Sequence, residues 1–264
     1  MSARRLAPAV LVAAALLMAR TAAAQDTSAR AAAASGAVDT VPPPPRTLPV
    51  NGVLLRPQHL RYQMSVVTPD STHLVGFRNV DVEQSSYGAF PAWLIVQTRD
   101  GGVPSTDSLY LAYVDLRPLH WSSVIGQARL ALEFTPDSIY GATSGPSGTQ
   151  NINLPRPGDL LAGAPMTELV LQLMPHRVGR VDSVSVLAID LGARRILPGA
   201  LSVDGEQDLE TPMGRMHCWV ISLTTAQATA RYWVSESDPV VVQTRQELPG
   251  RPGAVFEQKL VSGR

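Results

Sequence analysis

Short runs of alternating apolar and polar residues, separated by breakers, dominate the chain. In Leu60-Arg61-Tyr62-Gln63-Met64-Ser65-Val66, every second side chain is apolar, the signature of a strand with one buried face. Leu74 to Val82 returns after the turn Thr68-Pro69-Asp70-Ser71. Ala92 to Val96 is more evenly apolar and ends before Asp100-Gly101-Gly102, where glycine tolerates the positive φ of a tight turn. Asp107 to Leu116 is apolar on both sides of the alternation, which predicts a strand covered on both faces. Pro118 to Val124 is a further strand. In Arg129 to Thr135, Leu130, Leu132 and Phe134 point one way and Arg129, Glu133 and Thr135 the other. Ser138 to Ala142 pairs back, and Gly141 to Gly148 reads as loop. Val181 to Ile189 and Arg195 to Val203 are strands. An acidic turn at Val203-Asp204-Gly205-Glu206 then opens a meander through Gly214–Leu223, Ala230–Ser235, Val240–Leu248 and Ala254–Val261.

One stretch breaks the pattern. Met166, Leu169, Val170 and Leu173 recur at helical spacing, with Pro165 suited to a first helical position and Pro175 as a stop. Asp159-Leu160-Leu161-Ala162 predicts a first turn capped by Asp159. The links between strands are too short for parallel crossovers, and a long antiparallel sheet must curl. The predicted fold is mainly β: a long antiparallel meander curled into an open half-barrel over one or two short helices. About a dozen strands are expected.

Three segments divide the chain. Residues 1–24 read as a cleavable signal peptide, with Arg4 and Arg5, an apolar stretch Leu6–Met18 and Ala22-Ala23-Ala24 before the cut. Residues 25–52 read as a disordered Ala/Pro-rich tether including Pro42–Pro45. Residues 53–262 form a single β-rich domain. The predicted location is periplasmic or secreted, with no transmembrane segment in the mature chain. Lipidation would need a Cys at the cleavage site, and the single Cys is Cys218.

The whole chain carries 22 Lys+Arg and 22 Asp+Glu; removing Arg4, Arg5 and Arg20 with the signal leaves 19 against 22, a net of −3. A basic excess, which nucleic acid or an anionic membrane surface would reward, is missing, so no nucleic-acid partner is expected. One Cys excludes an internal disulfide, and the core must carry stability.

Reactive motifs are sparse. The histidines His59, His73, His120, His176 and His217 lack helical metal spacing, and there is no HExxH or CxxC. His217 and Cys218 leave opposite faces of a strand and cannot pair with each other; Cys218 reads as a small buried hydrophobe. Gly145-Pro146-Ser147-Gly148 lacks the nucleophile-elbow pattern. Neither a dinucleotide fingerprint nor a P-loop is present. Asp204, Glu206, Asp208 and Glu210 alternate without the calcium-loop pattern, and read as a solvated hairpin end. The expectation is no catalytic residue, no metal and no cofactor.

Aromatic residues remain. Trp93, Trp121, Trp219 and Trp233 lie in strands, and Trp219 and Trp233 are expected to meet across a hairpin. An indole offers a large apolar face and one N–H, useful in a ligand cavity, although core packing uses it as readily. The candidate ligand-binding set is Trp121, Trp219, Trp233, Tyr113 and Leu169.

Several pieces together carry a family resemblance. They are Asp107-Ser108-Leu109 leading to Asp115-Leu116-Arg117-Pro118-Leu119, Leu173-Met174-Pro175 before Val178-Gly179, and Val203-Asp204-Gly205-Glu206 with Thr211-Pro212-Met213-Gly214. Cys218 and Tyr232-Trp233-Val234-Ser235 complete the set. Over Gln58 to Leu260 the chain resembles secreted bacterial β-rich domains of unknown function, similar in shape to the half-barrel of the lipoprotein-carrier group. The resemblance implies an envelope protein with a curled sheet over a helix and no catalytic residues to transfer.

The leading functional expectation is a non-enzymatic envelope protein that binds a lipid or other apolar ligand on the concave face. The alternative is a protein–protein interaction module of the cell envelope without a small-molecule ligand. An enzyme with a scattered site is the third reading.

Overall fold

The computed structural model describes residues 48–189, 194–248 and 250–263. The expected signal segment 1–24 and most of the expected 25–52 tether lie outside the described residues. The last residues of that tether pack onto the domain: Leu48 and Val50 touch the core, and the Gly52 N–H donates to the Val114 carbonyl at 2.7 Å.

Among the described residues, fifteen strands and one α-helix follow a 3-10 turn at Gly52–Leu54. The strands are β1 (Gln58–Val67), β2 (Thr72–Tyr87), β3 (Phe90–Asp100), β4 (Ser105–Ala112), β5 (Pro118–Ile125), β6 (Ala128–Phe134), β7 (Ser138–Gly145) and β8 (Gly148–Pro155). The second run holds β9 (Leu160–Ala162), the helix α1 (Gly163–Leu173), β10 (Val181–Ile189), β11 (Arg194–Thr211), β12 (Gly214–Thr225), β13 (Thr229–Ser235), β14 (Val241–Glu247) and β15 (Val255–Gly263).

All fifteen strands form one sheet in the order β8-β7-β6-β5-β4-β3-β2-β1-β15-β14-β13-β12-β11-β10-β9. Each neighbouring pair is antiparallel except β9–β10, which α1 joins as a crossover. The sheet does not close by hydrogen bonding, so the predicted curled, open half-barrel is the observed architecture. The first and last strands meet in its middle, where Tyr62 pairs with Leu260. Its two edges, β8 and β9, are joined by four residues. β8 blunts its edge with exposed Thr149, Gln150, Asn151 and Asn153.

Tight hairpins depend on glycine where backbones cross. Gly101 has φ +86°, and a Cβ there would lie 2.1 Å from the Val75 carbonyl oxygen. The core is apolar and continuous, from Leu60, Val80 and Ile95 through Leu109 and Leu132 to Leu201, Ile221 and Val234. Trp93 is fully buried; its indole N–H donates to the Gly52 carbonyl at 3.0 Å.

Four local expectations are corrected. Leu160–Ala162 is not a helical turn: it is β9, paired parallel to β10, and Asp159 accepts from the Ser185 hydroxyl instead of capping a helix. The helix starts at Gly163 with no side-chain cap. Gly141–Gly148 is not a loop. β7 and β8 pair as far as Gly145 and Gly148, around a two-residue Pro146-Ser147 turn. Val203–Glu206 is not a turn either. It lies inside β11, where the register shifts between Val203 and Gly205 and leaves Asp204 as the extra residue of a bulge. Finally, β4 is not covered on both faces. Leu109 and Leu111 are buried, Tyr110 and Ala112 are half-buried, and Val114 lies beyond the strand and is 63% exposed.

α1 is no simple amphipathic rod. Pro165 to Gln172 are all buried, including Thr167, Glu168 and Gln172. The helix therefore sits inside the curl of the sheet, and its polar residues must find partners there. Thr167 donates back to the Gly163 carbonyl at 3.0 Å, and Glu168 meets an arginine of the sheet.

Candidate functional site

Strand register lays out the concave face in rows. One row is apolar: Val82, Ile95, Leu109, Trp121, Leu132, Gly141 and Ile152 stand opposite one another from β2 to β8. The next runs Gln97, Asp107, Ser123, Leu130, Thr143 and Gln150, and is mostly polar. A third begins Arg78, Arg99, Ser105 and Ile125. Side chains two apart on each strand share a face, so all three rows look inward.

A cavity of about 650 Å³ lies over these rows. Trp121, Ser123, Ile125 and Leu130 line one side, and Val186, Leu197, Leu223 and Tyr232 the other. The first turn of α1, with Gly163, Ala164, Pro165 and Thr167, forms part of the wall. Gly163 has φ +78°, and its Cα faces the Trp121 ring so closely that a Cβ would sit 3.4 Å from it. Arg194, on β11, reaches across to β7 and β8, donating to the Thr143 hydroxyl at 2.8 Å and to the Gln150 side-chain carbonyl. The cavity thus occupies the gap between the two arms of the sheet.

Beside it sits a buried charged cluster. Arg78 is fully buried and donates through both terminal nitrogens to the Glu168 carboxylate, each at 2.8 Å. Its guanidinium also lies 4.2 Å from the Tyr62 ring centre. Gln97 donates to Asp107 at 3.0 Å and extends the network along the polar row. Burial opposes the Arg78 charge, but the Glu168 carboxylate more than offsets it and holds the guanidinium above its ordinary range. Burial pushes the phenols of Tyr62 and Tyr232 upward, and the Glu168 charge adds to the effect, so both stay protonated.

Among the five predicted ligand-binding residues, the structure places only Trp121 on the cavity wall. Tyr113 stacks on Trp93, with ring centres 5.5 Å apart. Leu169 is buried in the core on α1. Trp219 and Trp233 do not meet. Trp219 pairs with Val234 and Trp233 with Val220, so successive positions send the two indoles to opposite faces. Trp219 packs on His176, with ring centres 5.6 Å apart, while the Trp233 indole N–H donates to Gln207 at 2.9 Å. Cys218 is fully buried as expected, and burial pushes its thiol up to about 11.

The sequence reasoning missed Arg78, Gln97, Arg99, Asp107 and Glu168. Gln97 and Asp107 fall at inward positions of their strands, in step with Trp93 and Ile95 and with Leu109 and Leu111. That polar residues occupy apolar positions in the alternation was the available signal.

No functionally curated protein matches the sequence. Among solved structures, the chain is similar to a β-barrel-like protein of the domain of unknown function DUF1849 from Brucella abortus. Identity is 9%, with 81% of this chain and 98% of that chain covered and a TM-score of 0.51. It is also similar to the hypothetical lipoprotein YmcC from Escherichia coli, at 15% identity, 77% and 84% coverage and a TM-score of 0.34. Residues 61–252, most of the chain, match one sequence family, and the protein belongs to it: the family described as protein of unknown function, DUF3108.

Proposed function

We propose that the protein is an exported binding protein of the bacterial envelope, which holds a lipid or other apolar ligand in the cavity between the two arms of the concave sheet, beside the first turn of α1, and catalyses no reaction. The observation that carries this reading is the cavity of about 650 Å³, walled by Trp121, Ile125, Leu130, Leu197 and Leu223. Small-molecule sites span roughly 300–1,000 Å³ and combine apolar walls with a few fixed polar groups. Export is supported by the signal-like segment of residues 1–24. Binding rather than catalysis is supported by the buried charges beside the cavity: Arg78 and Glu168 are spent on each other, and Asp107 accepts from Gln97.

The test is native mass spectrometry and lipid extraction on protein purified from the envelope, followed by uptake of a fluorescent acyl probe. The expected result is a bound acyl-chain compound released on denaturation, and probe uptake that Leu197→Trp diminishes by filling the cavity. A protein that is empty as purified and takes up no probe overturns the proposal.

A further inference from the structure

The walls of the cavity are not uniformly apolar, and their charge is one-sided. Among the described residues that line it, Arg99 on the concave face and Arg194, which reaches the inward Thr143 and Gln150, face a single carboxylate, Asp107. Arg99 is the informative one. It stands directly opposite Arg78 on the concave face. Glu168 takes both terminal nitrogens of Arg78 and so serves that guanidinium rather than its neighbour. Asp107 is held by Gln97, and no carboxylate among the described residues lies within ion-pair distance of Arg99. The Ser105 hydroxyl, directly across the ladder from Arg99 on the same face, is buried without a hydrogen-bond partner.

A half-buried cation and an unsatisfied hydroxyl side by side are costly unless an acceptor approaches them. Burial also holds the Arg99 guanidinium below its ordinary range, as it does for a cation short of a counter-charge. Apolar lining continues from this corner through Ile125 and Trp121.

We infer that the ligand is an amphiphile with an anionic head, a carboxylate or a phosphate, seated against Arg99 with its chain running along the apolar wall. The inference rests on the reading of the cavity as an acyl-chain site and adds the chemistry of the head. The guanidinium supplies paired N–H donors to either oxyanion, and a neutral alcohol of the same chain length cannot exploit the charge. Arg194, reaching in from β11 on the opposite arm, adds positive potential to the wall.

The experiment compares laurate, dodecyl phosphate and dodecanol, each below its aggregation limit, by displacement of a fluorescent acyl probe from the delipidated mature protein. One or both anions are expected to bind about tenfold or more tighter than dodecanol, and the pair of anions tells carboxylate from phosphate. Arg99→Gln is expected to bring the anions down to the affinity of dodecanol and leave dodecanol unchanged, whereas Arg99→Lys keeps much of the preference. Equal binding of all three by the wild-type protein overturns the anionic head and leaves the apolar site standing. Failure of all three to bind overturns both. The wild-type ratio decides the matter even if Arg99→Gln does not fold.

Discussion

The least expected residue of the fold is Arg78, a fully buried guanidinium on β2. Its bidentate pair with Glu168 joins the helix to the sheet. Such a pair is a weak source of stability when intact and a large liability when halved. Glu168→Leu is therefore expected to lower unfolding free energy by about 3–5 kcal/mol, and Arg78→Met with Glu168→Leu together by much less. Urea denaturation of the three proteins checks this. A second residue-scale prediction concerns the exposed end of β11 and β12. His217 is held above its ordinary pKa by hydrogen bonds with Asp208 and Glu206, and Asp208 below its own by His217 and Arg215. The His217 contribution is complete below its unfolded value of about 6.5 and is lost as pH rises through its higher folded value. The Asp208 contribution is complete above about 3.9 and is lost as pH falls through its lower folded value. The hairpin end is thus most favoured between about pH 4 and 6.5. An NMR titration should find the imidazole pKa elevated, and Asp208→Asn should return it toward the ordinary value. Because these groups are in solvent, added salt should weaken the effect.

At the scale of elements, alternation in the sequence revealed most strands, because one face of each meets water and the other does not. Leu60–Met64 and Arg129–Thr135 are the clear cases. Elements were misread where that contrast fails. β8 is an edge strand with exposed residues on both faces, so Gly148–Pro155 carries too little apolar signal to stand out. β9 is apolar throughout and only three residues long, so its Leu-Leu-Ala could not be told from the start of a helix. The bulge at Asp204 put a turn-like Asp-Gly pair inside a strand. The start of α1 is decided by Gly163 in a left-handed conformation, which only the fold reveals. Gly163→Ala should cost about 1–2 kcal/mol from backbone conformation alone. It should also shift Trp121 emission, since the new methyl presses on that indole. Thermal unfolding and fluorescence of the variant test both.

At the scale of the whole molecule, the half-barrel was legible and the cavity was not. The curl follows from many consecutive antiparallel strands with short links, all visible in the sequence. The cavity arises from which rows meet which across the gap, and that depends on register, bulges and the seating of α1. Trp121 could be chosen from sequence as an aromatic in a strand. Leu197 and Leu223, far from it in the chain, join it only because β11 and β12 form the opposite arm.

The strand order, with β1 and β15 neighbours at its centre, makes the molecule two meanders whose backbones, among the described residues, pair with each other along one seam. The backbones of the two halves cannot pair until β15 has been made, so closing the sheet is a long-range and therefore slow step. Conversely, the covalent link between β8 and β9 is dispensable once the seam has zipped. A protease site engineered at Gly158, which is exposed, should yield a nicked protein whose two pieces still travel together in gel filtration and separate only in denaturant.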